Sequence, residues 1–151
     1  MDAEALEALR RSMDLTLDLE GRWLHEGQHF DNQRVSDLFS RGIDLHEETG
    51  EPIVRIGHQW AYFTAQDTPF IVRRLIFEAD ALKADLNSFE VVTLSPEALS
   101  VGEDGVLYAD LGGRRARLSR HAHSQLTDRV EDTEIGPVVR LERATLPIQT
   151  P

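Results

Sequence analysis

The sequence predicts an α+β fold of two related β-rich halves, each running strand, turn, strand, helix, strand, packed as one compact unit. Three paired patterns carry that expectation. Leu19-Glu20-Gly21-Arg22-Trp23-Leu24 and Glu103-Asp104-Gly105-Val106-Leu107-Tyr108 each set an acidic residue and a glycine between apolar residues, a signature of a hairpin turn with positive φ at the glycine. Phe30-Asp31 through Gly42 and Leu118-Ser119 through Val130 each give an apolar residue, a short polar N-cap type and helical spacing. Pro52-Ile53-Val54-Arg55-Ile56 and Pro137-Val138-Val139-Arg140-Leu141 are β-branched runs opened by proline. The order places an N-terminal helix at residues 1–13, a first half at 14–88 and a second at 89–151.

Residues 2–13 read as a helix. Asp2 is the N-cap, and Leu6, Leu9 and Met13 recur at helical spacing, a stripe expected to lie across a sheet. From Leu15 the period becomes two, with Leu15, Leu17 and Leu19 alternating against Thr16 and Asp18; Glu20-Gly21 turns the chain and Arg22–His25 returns. Asp31 to Gly42 is the clearest helix, with Val35, Leu38 and Phe39 as its apolar stripe and Gly42 as its stop. Asp44 to Glu51 is an acidic loop. Ile53–Ile56 and Trp60–Thr64 are strands joined at Gly57-His58, and Gln66-Asp67-Thr68-Pro69 is a turn before a long strand from Phe70 to Ala79. Asp80–Leu86 fits a helical turn or a continuing strand. Phe89–Leu94 is β-rich, Val106–Leu111 and Arg114–Leu118 are strands around Gly112-Gly113, and Ser119 caps a helix to about Val130. Glu131–Gly136 loops back to a last strand, Val138–Ala144.

The 151 residues, 40% apolar, suffice for a real core. With no cysteine, a disulfide framework, a thiolate metal site and a cysteine nucleophile are excluded. No apolar run approaches the ~20 residues of a transmembrane helix and the N-terminus is acidic, so the expectation is a soluble, cytoplasmic protein with no membrane partner. A formal charge of −11 repels nucleic acid unless the cations are gathered. Arg114, Arg115, Arg117 and Arg120 are close together, but read first as a solvated strand face and helix start, so no nucleic-acid partner is expected.

His25-Glu26-Gly27-Gln28-His29 matches the H-E-x-x-H string of zinc proteases. That chemistry needs a helix, in which residues i and i+4 reach one metal; in an extended strand they stand about 13 Å apart. Here the string follows a turn and strand and has glycine in its middle, so a metal-dependent hydrolase using His25, His29 and Glu26, with a third ligand from the acidic loop, is the alternative reading. No glycine-rich phosphate loop or nucleophile elbow occurs, and no cofactor is expected. Trp23, Trp60, Asp67 and Phe70 are the candidate ligand-binding residues, lining a groove between the halves; the structural reading makes the aromatic ones core and Asp67 part of a rigid corner.

Gly21-Arg22-Trp23-Leu24-His25-Glu26-Gly27, then Arg34 to Ser40, then Asp67-Thr68-Pro69-Phe70, resemble the ordered signature of bacterial domain-of-unknown-function family 1285. Tyr108, Gly112-Gly113, Ala116-Arg117-Leu118, Arg120 and Leu126 extend the resemblance into the second half. It implies a two-repeat α+β architecture and a role in signalling or ligand sensing, and it supplies no catalytic residue. The chain departs from the pattern at His29, commonly a non-ligand residue in the family, and at Gly57-His58-Gln59-Trp60-Ala61. The combined expectation is a non-enzymatic regulatory module binding a small molecule or a protein, with a structural homodimer pairing through edges such as Phe89–Leu94 as a further reading.

Overall fold

The computed structural model describes residues 2–151. It is an α+β fold whose chain divides into two compact units, Met1–Pro69 and Phe70–Pro151. The strand and hairpin beginning at Phe70, expected in the first half, therefore lie in the second unit.

The first unit opens with α1 (Ala3–Arg11). Its N-cap is Asp2, whose side chain accepts from the Ala5 N–H at 2.8 Å, and Arg10 and Arg11 stand at the C-terminal end where the helix dipole favours cations. β1 (Leu15–Leu17), β2 (Trp23–His25), β3 (Gln28–His29) and β7 (Thr64–Ala65) form a sheet in the order β3-β2-β1-β7; β7 pairs with β1 in parallel and the other pairs are antiparallel. The β1–β2 turn is built on Asp18. Its carboxylate accepts from the backbone N–H of Glu20 and Arg22 at 2.9 and 2.8 Å and from the Arg22 guanidinium at 2.9 Å, with His29 Nε2 at 3.4 Å. Burial pushes the Asp18 carboxyl up, but these hydrogen bonds outweigh it and hold it below the usual carboxylate range.

After α2 (Gln33–Arg41), a three-stranded antiparallel meander follows: β4 (Ile43–Leu45), β5 (Pro52–Ile56) and β6 (Gln59–Tyr62). The expected loop Asp44–Glu51 is partly strand, because Ile43–Leu45 pairs with Pro52–Val54. The expected stripe of α2 is corrected as well. Val35 and Leu38 remain 39% and 48% exposed, and the helix turns Phe39 and Ser40 inward. A nine-residue helix resting on one sheet covers only the side chains directly beneath it, so positions on its flanks stay wet however apolar they are.

In the second unit, six strands run in the order β10-β9-β8-β13-β12-β11: β8 (Phe70–Phe77), β9 (Leu82–Leu86), β10 (Val91–Thr93), β11 (Leu99–Val101), β12 (Leu107–Asp110) and β13 (Arg115–Leu118). β8 and β13 are parallel and the rest antiparallel. The open choice at Asp80–Leu86 resolves as strand, since β9 folds back on β8. A bulge between Val72 and Arg74 breaks that ladder, and Gln125 of α3 (Arg120–Thr127) bonds both backbone groups of Leu75 just beyond it, accepting at 2.7 Å and donating at 3.0 Å. β14 (Val130–Thr133), β15 (Gly136–Arg140) and β16 (Thr145–Pro147) form the last meander, so the helix stops short of Val130 and the expected loop at Glu131 is strand.

Within the first unit β1–β2, α2 and β4–β5–β6 follow in that order, and within the second, after β8–β11, come β12–β13, α3 and β14–β15–β16. The two proline-opened runs match by position, Pro52 in β5 and Pro137 in β15, each the middle strand of its meander.

Asp85 gives the second unit a pH dependence. It is buried on β9 and takes Arg74 Nε at 2.8 Å and Arg73 Nη2 at 3.1 Å. Burial pushes its carboxyl up, yet the Arg74 and Arg73 hydrogen bonds prevail and hold it below its ordinary value of 3.8. A carboxyl depressed by folding contributes stability above its unfolded pKa, and that contribution disappears as pH falls through the folded value. Urea midpoints measured from pH 6 down to pH 3 should therefore fall less steeply for Asp85→Asn than for the unchanged protein below about pH 4. Parallel slopes would show that the Asp85 pairs contribute nothing.

Candidate functional site

The first unit holds an apolar cavity of about 300 Å³ beneath α1. One wall is Leu6 and Leu9 of α1 with Arg10 beside them, and Met13, which lies beyond the end of the helix although the sequence placed it in the helical stripe. The opposite wall comes from the meander, where the register pairs Val54 with Ala61 and Ile56 with Gln59 and so sets all four on one face. Leu15 of β1, Phe39 of α2 and Trp60 of β6 complete the lining. The helix over this space is loosely seated. None of its residues is buried, and Leu9 is 49% exposed.

What holds α1 in place lies mostly along its flank. Arg11 grips Glu51 with two hydrogen bonds of 3.0 Å, meets Glu7 at 3.2 Å and stacks its guanidinium 4.0 Å from the Tyr62 ring centre. The Tyr62 hydroxyl donates to Glu7 at 2.9 Å. The Glu51 partnership raises the Arg11 pKa and, reciprocally, lowers that of Glu51, while burial and Glu7 raise that of Tyr62. Arg10 lies 3.9 Å over Trp60, which meets Tyr62 edge-on at 5.2 Å and His46 at 5.4 Å. Exposed ion pairs of this kind are each worth little, and the cation–π contacts about 0.5–1 kcal/mol. α1 is therefore held by contacts along its exposed flank rather than by a buried face.

Trp60 lines the cavity. Trp23 is 1% exposed, its indole N–H donates to Ser40 Oγ at 2.9 Å, and it packs on Phe63, Phe39 and Phe30. It offers no surface to a ligand. Phe70 is 1% exposed at the start of β8, with the Arg114 guanidinium 4.4 Å from its ring centre. Asp67 is exposed in the turn before β8.

The H-E-x-x-H string is a β-hairpin. Glu26 and Gly27 have φ of 51° and 80°, forming the two-residue turn between β2 and β3. His25 pairs with Gln28 and Leu24 with His29, so the two histidines project from opposite faces of the ribbon. They cannot chelate one ion, which corrects the metal-hydrolase alternative. Among the described residues no group of three or more His, Asp or Glu side chains gathers as a metal site, and no helix is long and apolar enough to cross a membrane.

The cavity itself was legible only in part. The stripe Leu6, Leu9, Met13 is visible at helical spacing, but that it covers a space, and which strand residues face it, follows from the packing of α1 along β6.

No family model matches the sequence, and no curated protein matches it. Among solved structures, a DUF1285 family protein from Silicibacter pomeroyi DSS-3 superposes with a TM-score of 0.68 at 15% identity, over 91% of this chain and 80% of that one. A DUF1285 family protein from Shewanella baltica OS155 gives 0.59 at 12% identity, over 78% and 92%. With backbone agreement over most of both chains at identities this low, the chain has the fold of the DUF1285 family proteins.

Proposed function

We propose that this protein is a non-enzymatic binding module that holds a small, largely apolar molecule in the cavity beneath α1 and signals its occupancy through the seating of that helix. The cavity carries the reading. Its volume is at the lower end of the range typical of small-molecule sites. A cavity of about 150 Å³ holds benzene, so this one suits a molecule of about a dozen non-hydrogen atoms. Arg10 is the one titratable side chain in the lining, and an arginine stays protonated, so the wall supplies no general acid or base. The partly exposed Leu6 and Leu9 of α1 support the signalling part, because a ligand that completes their packing favours the closed helix.

Hydrogen exchange tests this with 1-octanol as probe. At a hundredfold excess over Kd, amides that exchange by local opening of α1 and β6 should slow about a hundredfold. Ala61→Phe, which fills the cavity, should abolish the protection. Exchange unchanged by the probe, or protected equally in the variant, would refute the reading.

A further inference from the structure

The cavity described above has one polar corner, and its chemistry names the ligand more narrowly. Arg10 is half-buried on the lining and forms no ion pair among the described residues, whereas Arg11, the next residue, holds two carboxylates. The Arg10 guanidinium carbon lies 3.9 Å over the Trp60 ring, a contact that takes up none of its N–H groups in a hydrogen bond. Gln59 and Trp60 stand on the same lining, and neither the Gln59 amide nor the Trp60 indole N–H has a hydrogen-bond partner among the described residues.

Resting on the reading of the cavity as a small-molecule site, we propose that its ligand is an apolar monocarboxylate, with the hydrocarbon body against Leu6, Val54 and Ala61 and the carboxylate on the edge of Arg10. A single arginine balances a single negative charge, and its planar fork matches two carboxylate oxygens. Burying the head group of an uncharged alcohol there would instead leave the guanidinium edge short of an acceptor. A more highly charged anion would meet the field of a chain carrying −11 with one cation to answer it.

Calorimetric titration of the full chain with sodium octanoate and with 1-octanol tests the proposal. Octanoate should bind about tenfold or more tightly than octanol, the range expected for a charge-assisted hydrogen-bonded pair. Arg10→Gln should remove the preference, binding octanoate no more tightly than the same variant binds octanol, and Arg10→Lys, keeping the charge without the fork, should fall between. Equal binding of the two probes by the unchanged protein would overturn the carboxylate assignment and leave the cavity reading standing. A preference for octanoate that survives Arg10→Gln would also overturn it. Failure of both probes to bind would remove the cavity reading and this inference with it.

Discussion

Trp23→Ala should lower stability by about 3–5 kcal/mol, the range for deleting a fully buried aromatic side chain. Trp23 is the largest side chain in the interior of the first unit, and three rings surround it, Phe63 at 4.9 Å, Phe39 at 5.7 Å and Phe30 at 6.4 Å. Those rings come from three separate segments, so they cannot close on the space left behind without moving the strand end after β3, α2 and the strand end after β6 together. The buried Ser40 hydroxyl also loses the indole N–H that donates to it, which adds the penalty of an unpaired polar group. For a chain of this length each kcal/mol moves Tm by about 2–4 °C, so the midpoint should fall by about 10 °C. Trp23→Phe, which keeps a ring but not the donor, should fall by less. Calorimetry of the three proteins decides it: a drop of only a degree or two for the alanine variant would mean that the aromatic cluster is not what stabilises this unit.

Gly42→Ala should cost about 1–3 kcal/mol or more, an unusual size for the smallest possible addition. Gly42 ends α2, and its φ is −89°, a conformation open to any residue. The need for glycine comes from elsewhere. A Cβ at this position would fall inside the contact distance of the Arg55 carbonyl oxygen and only 3.0 Å from the Arg55 backbone carbon and nitrogen. The neighbour is backbone of the middle strand, already tied to Gly42 by the Arg55 N–H to Gly42 carbonyl bond at 2.8 Å, and it cannot swing aside as a side chain would. The contrast is Gly27→Ala in the β2–β3 turn. There φ is +80° and nothing stands within 4 Å, so only the conformational penalty of about 1 kcal/mol applies. Urea denaturation of both variants separates the two causes. If Gly42→Ala proves no worse than Gly27→Ala, α2 and β5 are less closely fitted than this structure has them.

These two glycines show where sequence reasoning reaches and where it stops. Gly21, Gly27, Gly57 and Gly105 have positive φ at hairpin or strand turns, and local pattern marks the first and last of these as turns, because the conformation is a property of the residue and its immediate neighbours. Gly42 looks like the usual left-handed helix stop and is something else, because the atom that excludes a side chain belongs to a residue thirteen positions away.

Local chemistry by itself determined the helix starts at Asp2 and Ser119, where a side-chain oxygen satisfies an amide within three residues. It also determined the hairpins, the proline-opened strands and the absence of thiol chemistry, each decided within a few residues or by composition alone. Only the tertiary structure decided that Trp23 is core while Trp60 lines a cavity, and that Arg10 has no carboxylate where Arg11 has two. Burial and pairing depend on which distant segments meet, and a period read along one strand or helix says which face is apolar without saying what that face will touch.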